Sequence, residues 1–315
     1  MGDRHAALQH LSNGIQLLTS VAKSQVEIEK QEIKGLKPIF ERLDMQASFF
    51  QDDRIPVLSL PDWNIHRGDY SAMVTEKGFA TIQQAHESLV RLQSWFYRFV
   101  NKNVDLHEAS TDLLGSAVLE EKAALVQGYT SWIDAFENFR LTENHDDQAM
   151  YGLKTLLVQF YICRMLLDSK FPADEKIFGV SPNPAAHQIL DLAETLLDYT
   201  TKVNSSPNAT QTPRRNFSLE SGVVAPLFAL ALKCSDESVV TRAAEMLSLS
   251  QRREGLYDAQ TMAQILAHLR RSRDGKMDAE ISVNGGGIPM GALEYYIPRS
   301  YEGGGIDKLL AAMTI

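Results

Sequence analysis

The chain is poor in cysteine, has no long apolar run, carries no excess of basic charge and shows little strand-like alternation. Each absence removes a class of protein. Two cysteines, Cys163 and Cys234, cannot build a disulfide framework or a four-thiolate zinc site. Each lies in an apolar helical context, "YICRML" and "ALALKCSD", which suits a reduced, buried structural thiol. No segment reaches the roughly 18 apolar residues of a membrane span. The start, "MGDRHAALQHL", lacks the basic and apolar regions of a secretory signal. The chain therefore reads as intracellular, cytoplasmic or nuclear, with no membrane partner, and the sequons at Asn204 and Asn208 carry no meaning. Against 31 lysines and arginines stand 40 aspartates and glutamates, a net charge of -9. A surface of that sign repels a phosphate backbone and argues against direct nucleic-acid binding.

Also missing are the spacings that announce a reaction: there is no H-E-x-x-H, no P-loop, no EF-hand and no Ser/His/Asp spacing. The glycines of "NGGGIPMG" (Gly285, Gly287, Gly291) do not fit G-x-G-x-x-G. No cofactor is expected. In "ENHDDQ", His145 sits beside Glu143, Asp146 and Asp147, all metal-ligating types. The stretch falls at a helix boundary, where Asp146 suits a cap and acidic residues suit the helix dipole, so no metal is expected there.

What is present is helix after helix. With 315 residues, 44% of them hydrophobic and 23% charged, the chain can bury a sizeable core. Leu8, Leu11, Ile15 and Leu18 recur at three- and four-residue spacing, as do Leu114, Val118, Leu125, Tyr129, Ile133 and Phe136. Similar patterns occupy about 79–101, 147–169, 184–202, 219–233, 237–248 and 258–272. Breaker-rich loops fall at 51–69, 171–184 and 204–216. Nothing before residue 279 alternates like a strand. The expectation is an all-α, irregular array of helices in one domain over 1–275, with a C-terminal extension over 276–315 packing on it.

Between two of these helices stands "SLSQRREGLYDAQ". Gly255 suits a left-handed turn, and Asp258 suits the N-cap of the following helix. The longer block "PLFALALKCSDESVVTRAAEMLSLSQRREGLYDAQTMAQI" resembles a segment in the regulatory region of fungal transcription factors with a binuclear zinc cluster. Pro226, Leu227, Phe228, Lys233, Cys234, Arg252, Arg253, Glu254, Gly255, Tyr257 and Asp258 carry the match, with Tyr257 where many members have tryptophan. "ALQHLSNGIQLL" and "LKPIFERLDMQASFFQD" resemble earlier segments of that family, so the likeness spans roughly 5–270. It implies the family's helical regulatory fold, and the arginines, glutamate and aromatic are expected to lock two helices together. No catalytic residue carries over. The family's six-cysteine DNA-binding cluster has no counterpart here, and "GGGIPMGALEYYIPRSYEGGGIDKLLAAM" departs from the family's usual ending.

Two functional readings follow. The leading one is a regulatory-type domain recruited to a secondary-metabolite pathway as a cofactor-independent enzyme for proton-transfer cyclisation or isomerisation. The other is a regulator or co-regulator without a DNA-binding domain, which binds an effector or a partner protein. A fragment of a longer protein is a third account, and a homodimer is left open. The ligand expected is an apolar or aromatic, polyketide-like small molecule held between helices. The candidate catalytic groups are His66 with Asp62 or Asp69 as proton movers, and Tyr161 and Arg164 as stabilisers of developing negative charge. Trp63, Tyr295 and Tyr296 are the candidate aromatic walls. Each has a structural alternative: the 62–70 segment as a solvated loop pinned by Trp63, Tyr161 with Arg164 as a hydrogen-bonded pair. His187 is expected to pair with Asp191 one turn on.

Overall fold

The computed structural model describes residues 4–22, 36–48, 78–103, 106, 111–142, 145–204, 216–218, 222–255 and 257–273. Those residues are overwhelmingly helical, as the periodicity predicts. Contacts group the chain into two compact units, Met1–Glu143 and Asn144–Ile315.

In the first unit lie α1 (Arg4–Ala22), α2 (Lys37–Ser48), α3 (Ile82–Lys102) and α4 (Ser116–Thr142), with a 3-10 turn at Thr111–Leu113. Helix α3 buries Ala85, Leu89, Leu92, Trp95, Phe96, Phe99 and Val100, a stripe with the 3.6-residue period that lays one face on a neighbour. Helix α4 answers with Leu125, Tyr129, Trp132, Phe136 and Phe139, all buried. Gly128 lets the two helices close up, since a Cβ there would stand 2.9 Å from a Leu92 methyl carbon. The indoles keep their N–H groups satisfied, Trp132 donating to the Ala85 carbonyl at 3.0 Å and Trp95 to Glu121 at 3.1 Å. Trp132 stacks on Phe136 with centroids 4.7 Å apart.

The second unit holds α5 (Asp147–Asp168), a single turn α6 (Lys176–Gly179), α7 (Pro184–Asn204), α8 (Val224–Lys233), α9 (Glu237–Leu249) and α10 (Ala259–Arg273). Helix α8 is apolar nearly all round and buried nearly all round, as a central helix must be. Its neighbours α9 and α10 turn Val239, Val240, Ala243 and Leu247, and Met262, Ile265, Leu266 and Leu269, inward. Arg242 of α9 clasps Asp191 and Glu194 of α7 at 2.7 and 2.5 Å.

One expectation is corrected here. Residues 216–218, 252–254 and 257–258 form a small sheet, β1, β2 and β3 in that order, with β1 parallel and β3 antiparallel to β2. Strands of two or three residues are shorter than one legible alternation, so periodicity does not reveal them. Gly255 opens the β2–β3 hairpin with φ 57°, the left-handed conformation anticipated for it. Among the described residues no helix is long and apolar enough to cross a membrane.

Candidate functional site

The chemistry-bearing residues of the second unit fall into four groups. The first is the Arg-Arg-Glu-Gly joint. Glu254 is 2% exposed, and its carboxylate sits at the N-terminus of α8, accepting the N–H groups of Gly222, Val223 and Val224 at 2.8, 3.0 and 2.9 Å. Those donors have no intrahelical acceptor, and the helix dipole favours an anion beside them. Gly222 has to lack a side chain, because a Cβ would overlap the Glu254 carboxylate. Arg252 is 9% exposed. Its Nε lies 3.3 Å from Glu254 Oε1, and its Nη2 donates to the Tyr151 hydroxyl on α5 at 2.6 Å. Arg253 points outward, and Tyr257 is buried. The motif thus ties α5, α8 and the hairpin into one piece, a structural use of every charged group in it except Arg253.

The second group surrounds Asp236, the N-cap of α9. One carboxylate oxygen accepts the Ser238 N–H at 3.0 Å and its hydroxyl at 2.6 Å; the other accepts the Asn183 N–H at 2.8 Å. These bonds, led by the Ser238 hydroxyl, hold the carboxyl down to about 2. His187 Nε2 stands 3.5 Å from Asp236 and 3.3 Å from the Ser238 hydroxyl. A serine, a histidine and an aspartate therefore meet, yet they make no relay. Nucleophilic catalysis needs the carboxylate on Nδ1 and the hydroxyl on Nε2, whereas here both approach Nε2. The expected pairing of His187 with Asp191 is corrected: the carboxylate near His187 is Asp236, and Asp191 is taken by Arg242.

The third group is a pair of lysines. Lys170 stands two residues past the end of α5 and is 8% exposed; Lys233 is the last residue of α8, half-buried, with Nζ 6.0 Å from the centroid of the Phe178 ring. Burial lowers both amines. Lys170 is brought to about 7, with the neighbouring Lys233 charge adding to the effect, and Lys233 to about 8. Between the pair in sequence, Phe171 holds φ 42°, a left-handed backbone that is uncommon for a bulky residue. Next along, burial pushes the Cys234 thiol up to about 12. Neither Cys234 nor Cys163 is in a disulfide, and both are buried, as expected of structural thiols.

The fourth group is the part of the sequence-predicted site that the structure describes. Tyr161 and Arg164 lie half-buried on α5. Arg164 Nε donates to both oxygens of Asp168, at 3.0 and 2.8 Å, and Tyr161 meets Phe160 edge-on. His66, Asp62, Asp69, Trp63, Tyr295 and Tyr296 lie outside the described residues, as does the proposed C-terminal extension. Sequence reasoning passed over Lys170 and named Lys233 only among the residues of the family likeness. Among the described residues no three His, Cys, Asp or Glu side chains are grouped to hold a metal ion. Asp146 caps α5 instead, accepting the Ala149 N–H at 2.7 Å. Comparison with known proteins finds no family model, no curated protein and no solved structure that matches the chain.

Proposed function

We propose that the chain is a helical small-molecule-binding protein of the regulatory-domain type, which responds to an apolar or aromatic effector and does not itself read DNA. The observation that carries this reading is the Glu254 joint. The sequence block with the most specific likeness to the fungal regulatory domains is spent on holding α5, α8 and the hairpin together, the role a shared fold asks of it. The carboxylates of Asp146, Asp236 and Asp258 are likewise used at helix N-termini. The net charge of -9 argues against duplex DNA as a partner of this chain.

A ligand that binds the folded chain raises its unfolding midpoint in step with ligand concentration. Aromatic and polyketide-like compounds are expected to do so in a thermal-shift titration. Nanomolar, sequence-dependent binding to duplex DNA at physiological salt, with no shift from any such compound, overturns the reading.

A cofactor-independent enzyme is the second reading, and the amine of Lys170 favours it: a group brought to about 7 can move a proton at neutral pH. Turnover of a pathway intermediate without added cofactor is its test. A fall of roughly 100-fold in that turnover, the lower range for losing a general base, on His66→Ala or Lys170→Met tells which group moves the proton.

A further inference from the structure

We propose that Arg252 and Tyr151 hold the polar end of the effector, both donating to the carbonyl oxygen of a neutral aromatic ketone whose rings lie against Tyr151 and Tyr199. The proposal deepens the effector-binding reading and rests on it.

Three observations carry it. Arg252 is 9% exposed, and two of its nitrogens are engaged, Nε beside Glu254 at 3.3 Å and Nη2 with the Tyr151 hydroxyl at 2.6 Å. Its third, Nη1, is buried and has no hydrogen-bond partner. The tie between β2 and α5 asks nothing of Nη1, and burying an unfilled donor opposes folding, so such an atom needs another reason to be there. The second observation is the Tyr151 hydroxyl. It accepts from Arg252, and among the described residues its own proton meets no acceptor. Nη1 and Nη2 hang from one carbon of a rigid planar fork, so an oxygen that accepts from Nη1 comes close to this hydroxyl and can take its hydrogen bond too. Asn101 and Arg270 also bury an unfilled nitrogen, but among the described residues neither has a second donor bonded to it. Third, the Tyr151 ring lies 5.1 Å from that of Tyr199 on α7, centroid to centroid, and both residues are half-buried. They offer the flat apolar surface that suits an aromatic compound, and a way in from solvent by the side-chain shifts common at binding sites.

Charge decides the class of oxygen. Arg252 already has Glu254 as its counter-ion, and Asp147, exposed one turn before Tyr151 on α5, adds a further negative charge nearby. A carboxylate is repelled by both, whereas a carbonyl oxygen takes the two hydrogen bonds without that cost. The competing account is that a buried water fills Nη1 and that Arg252 is structural alone. It predicts that an oxygen on the ligand gains nothing.

The test compares three probes by titration calorimetry on the full chain: 2-acetylnaphthalene, 2-ethylnaphthalene, which lacks the oxygen, and 2-naphthoate, which carries a charge. The ketone is expected to bind at least about 10-fold more tightly than either of the others, the gain of one hydrogen bond from a charged donor. Tyr151→Phe leaves Nη2 of Arg252 unfilled and is expected to lower the unfolding midpoint, so the readout is the preference for ketone over hydrocarbon, which a structural role does not move. That preference is expected to fall about 10-fold in Tyr151→Phe, with the hydrocarbon bound as before. Tyr199→Leu is expected to weaken all three probes and to keep the preference. Equal binding of ketone and hydrocarbon by the native chain overturns the proposal in favour of the water, and so does a preference that survives both Tyr151→Phe and Arg252→Lys. Tighter binding of the naphthoate overturns the neutral oxygen. In each of these cases a compound still binds, so the effector-binding reading stands while this inference fails; if none of the three binds, both fail.

Discussion

The two units solve the same packing problem with different materials. In the first, α3 and α4 meet through aromatic rings, Trp95, Phe96, Phe99, Tyr129, Trp132 and Phe136, and the two indole N–H groups are satisfied across the helix pair by Ala85 and Glu121. In the second, the buried side chains are mostly aliphatic, with Phe160 and Phe228 among them, and helix ends are fixed by buried ionisable groups: Glu254 under α8, Asp236 under α9 and Arg252 reaching α5. Apolar burial is insensitive to pH and salt to first order, whereas buried charge is not. The charged joints of the second unit therefore make its stability responsive to protons and to salt.

The contrast is sharpest at Glu254. Removing one partner of a buried, hydrogen-bonded charge network strands the others, so Glu254→Ala is expected to destabilise the second unit by about 3–5 kcal/mol. Trp132→Ala is expected to cost the first unit a similar amount, about 3–5 kcal/mol, through the cavity it leaves. Urea unfolding followed by hydrogen exchange in each half separates them. Loss of protection confined to 144–273 for Glu254→Ala, and to 4–142 for Trp132→Ala, is the expected pattern; a Glu254→Ala chain as stable as the native one breaks the comparison.

Smaller in effect is the pH dependence of the second unit. Lys170 and Lys233 are lowered to about 7 and about 8 from 10.5, so from about pH 7 upward the unfolded chain holds protons that the folded chain has released. Stability therefore rises with pH. Cys234 acts the other way above its ordinary value of 9.0, since the folded thiol keeps a proton that the unfolded one loses, and the rise is expected between about pH 7 and 9. On the acid side Asp236 stabilises the fold above its ordinary 3.8, and that contribution is lost as pH falls toward about 2. Chemical unfolding across these windows, read by hydrogen exchange in 144–273, checks both signs. A second unit with flat stability from pH 7 to 9 contradicts the description of its lysines.

The smallest expected effects lie at the helix caps that both sequence and structure assign. Asp146→Ala and Asp258→Ala are each expected to cost about 1 kcal/mol, visible as a lower urea midpoint with an unchanged slope. Effects of several kcal/mol would mean that these carboxylates hold more than one helix end.

The helical architecture was legible because amphipathic stripes such as Ala85 to Val100 and Ala186 to Leu196 repeat with the period of the helix, and because Asp146, Gly255 and Asp258 have local geometric jobs. Relations across the chain were not legible. Nothing local in "RRE" or "NFS" says that these segments pair as parallel strands, and nothing near His187 says that its carboxylate neighbour comes from α9 rather than from the next turn of its own helix. The lysine pair escaped for the same reason: each lysine alone is an ordinary helix-end residue, and only tertiary packing brings the second charge. Of the site read from sequence, Tyr161 and Arg164 stand on α5 as the helical spacing implied, and the partner of Arg164 is Asp168, one turn on.

Both cysteines of the chain belong to the second unit, both are buried, and the Cys234 thiol is held far above neutrality. An alkylating reagent at neutral pH therefore finds two buried sulfurs, that of Cys234 held as the thiol, and reacts when the fold opens locally. The rate of thiol labelling is in this way a clock for opening of one half of the protein, with no engineered reporter. Slowing of that clock by an added compound would register a ligand by the motion it suppresses.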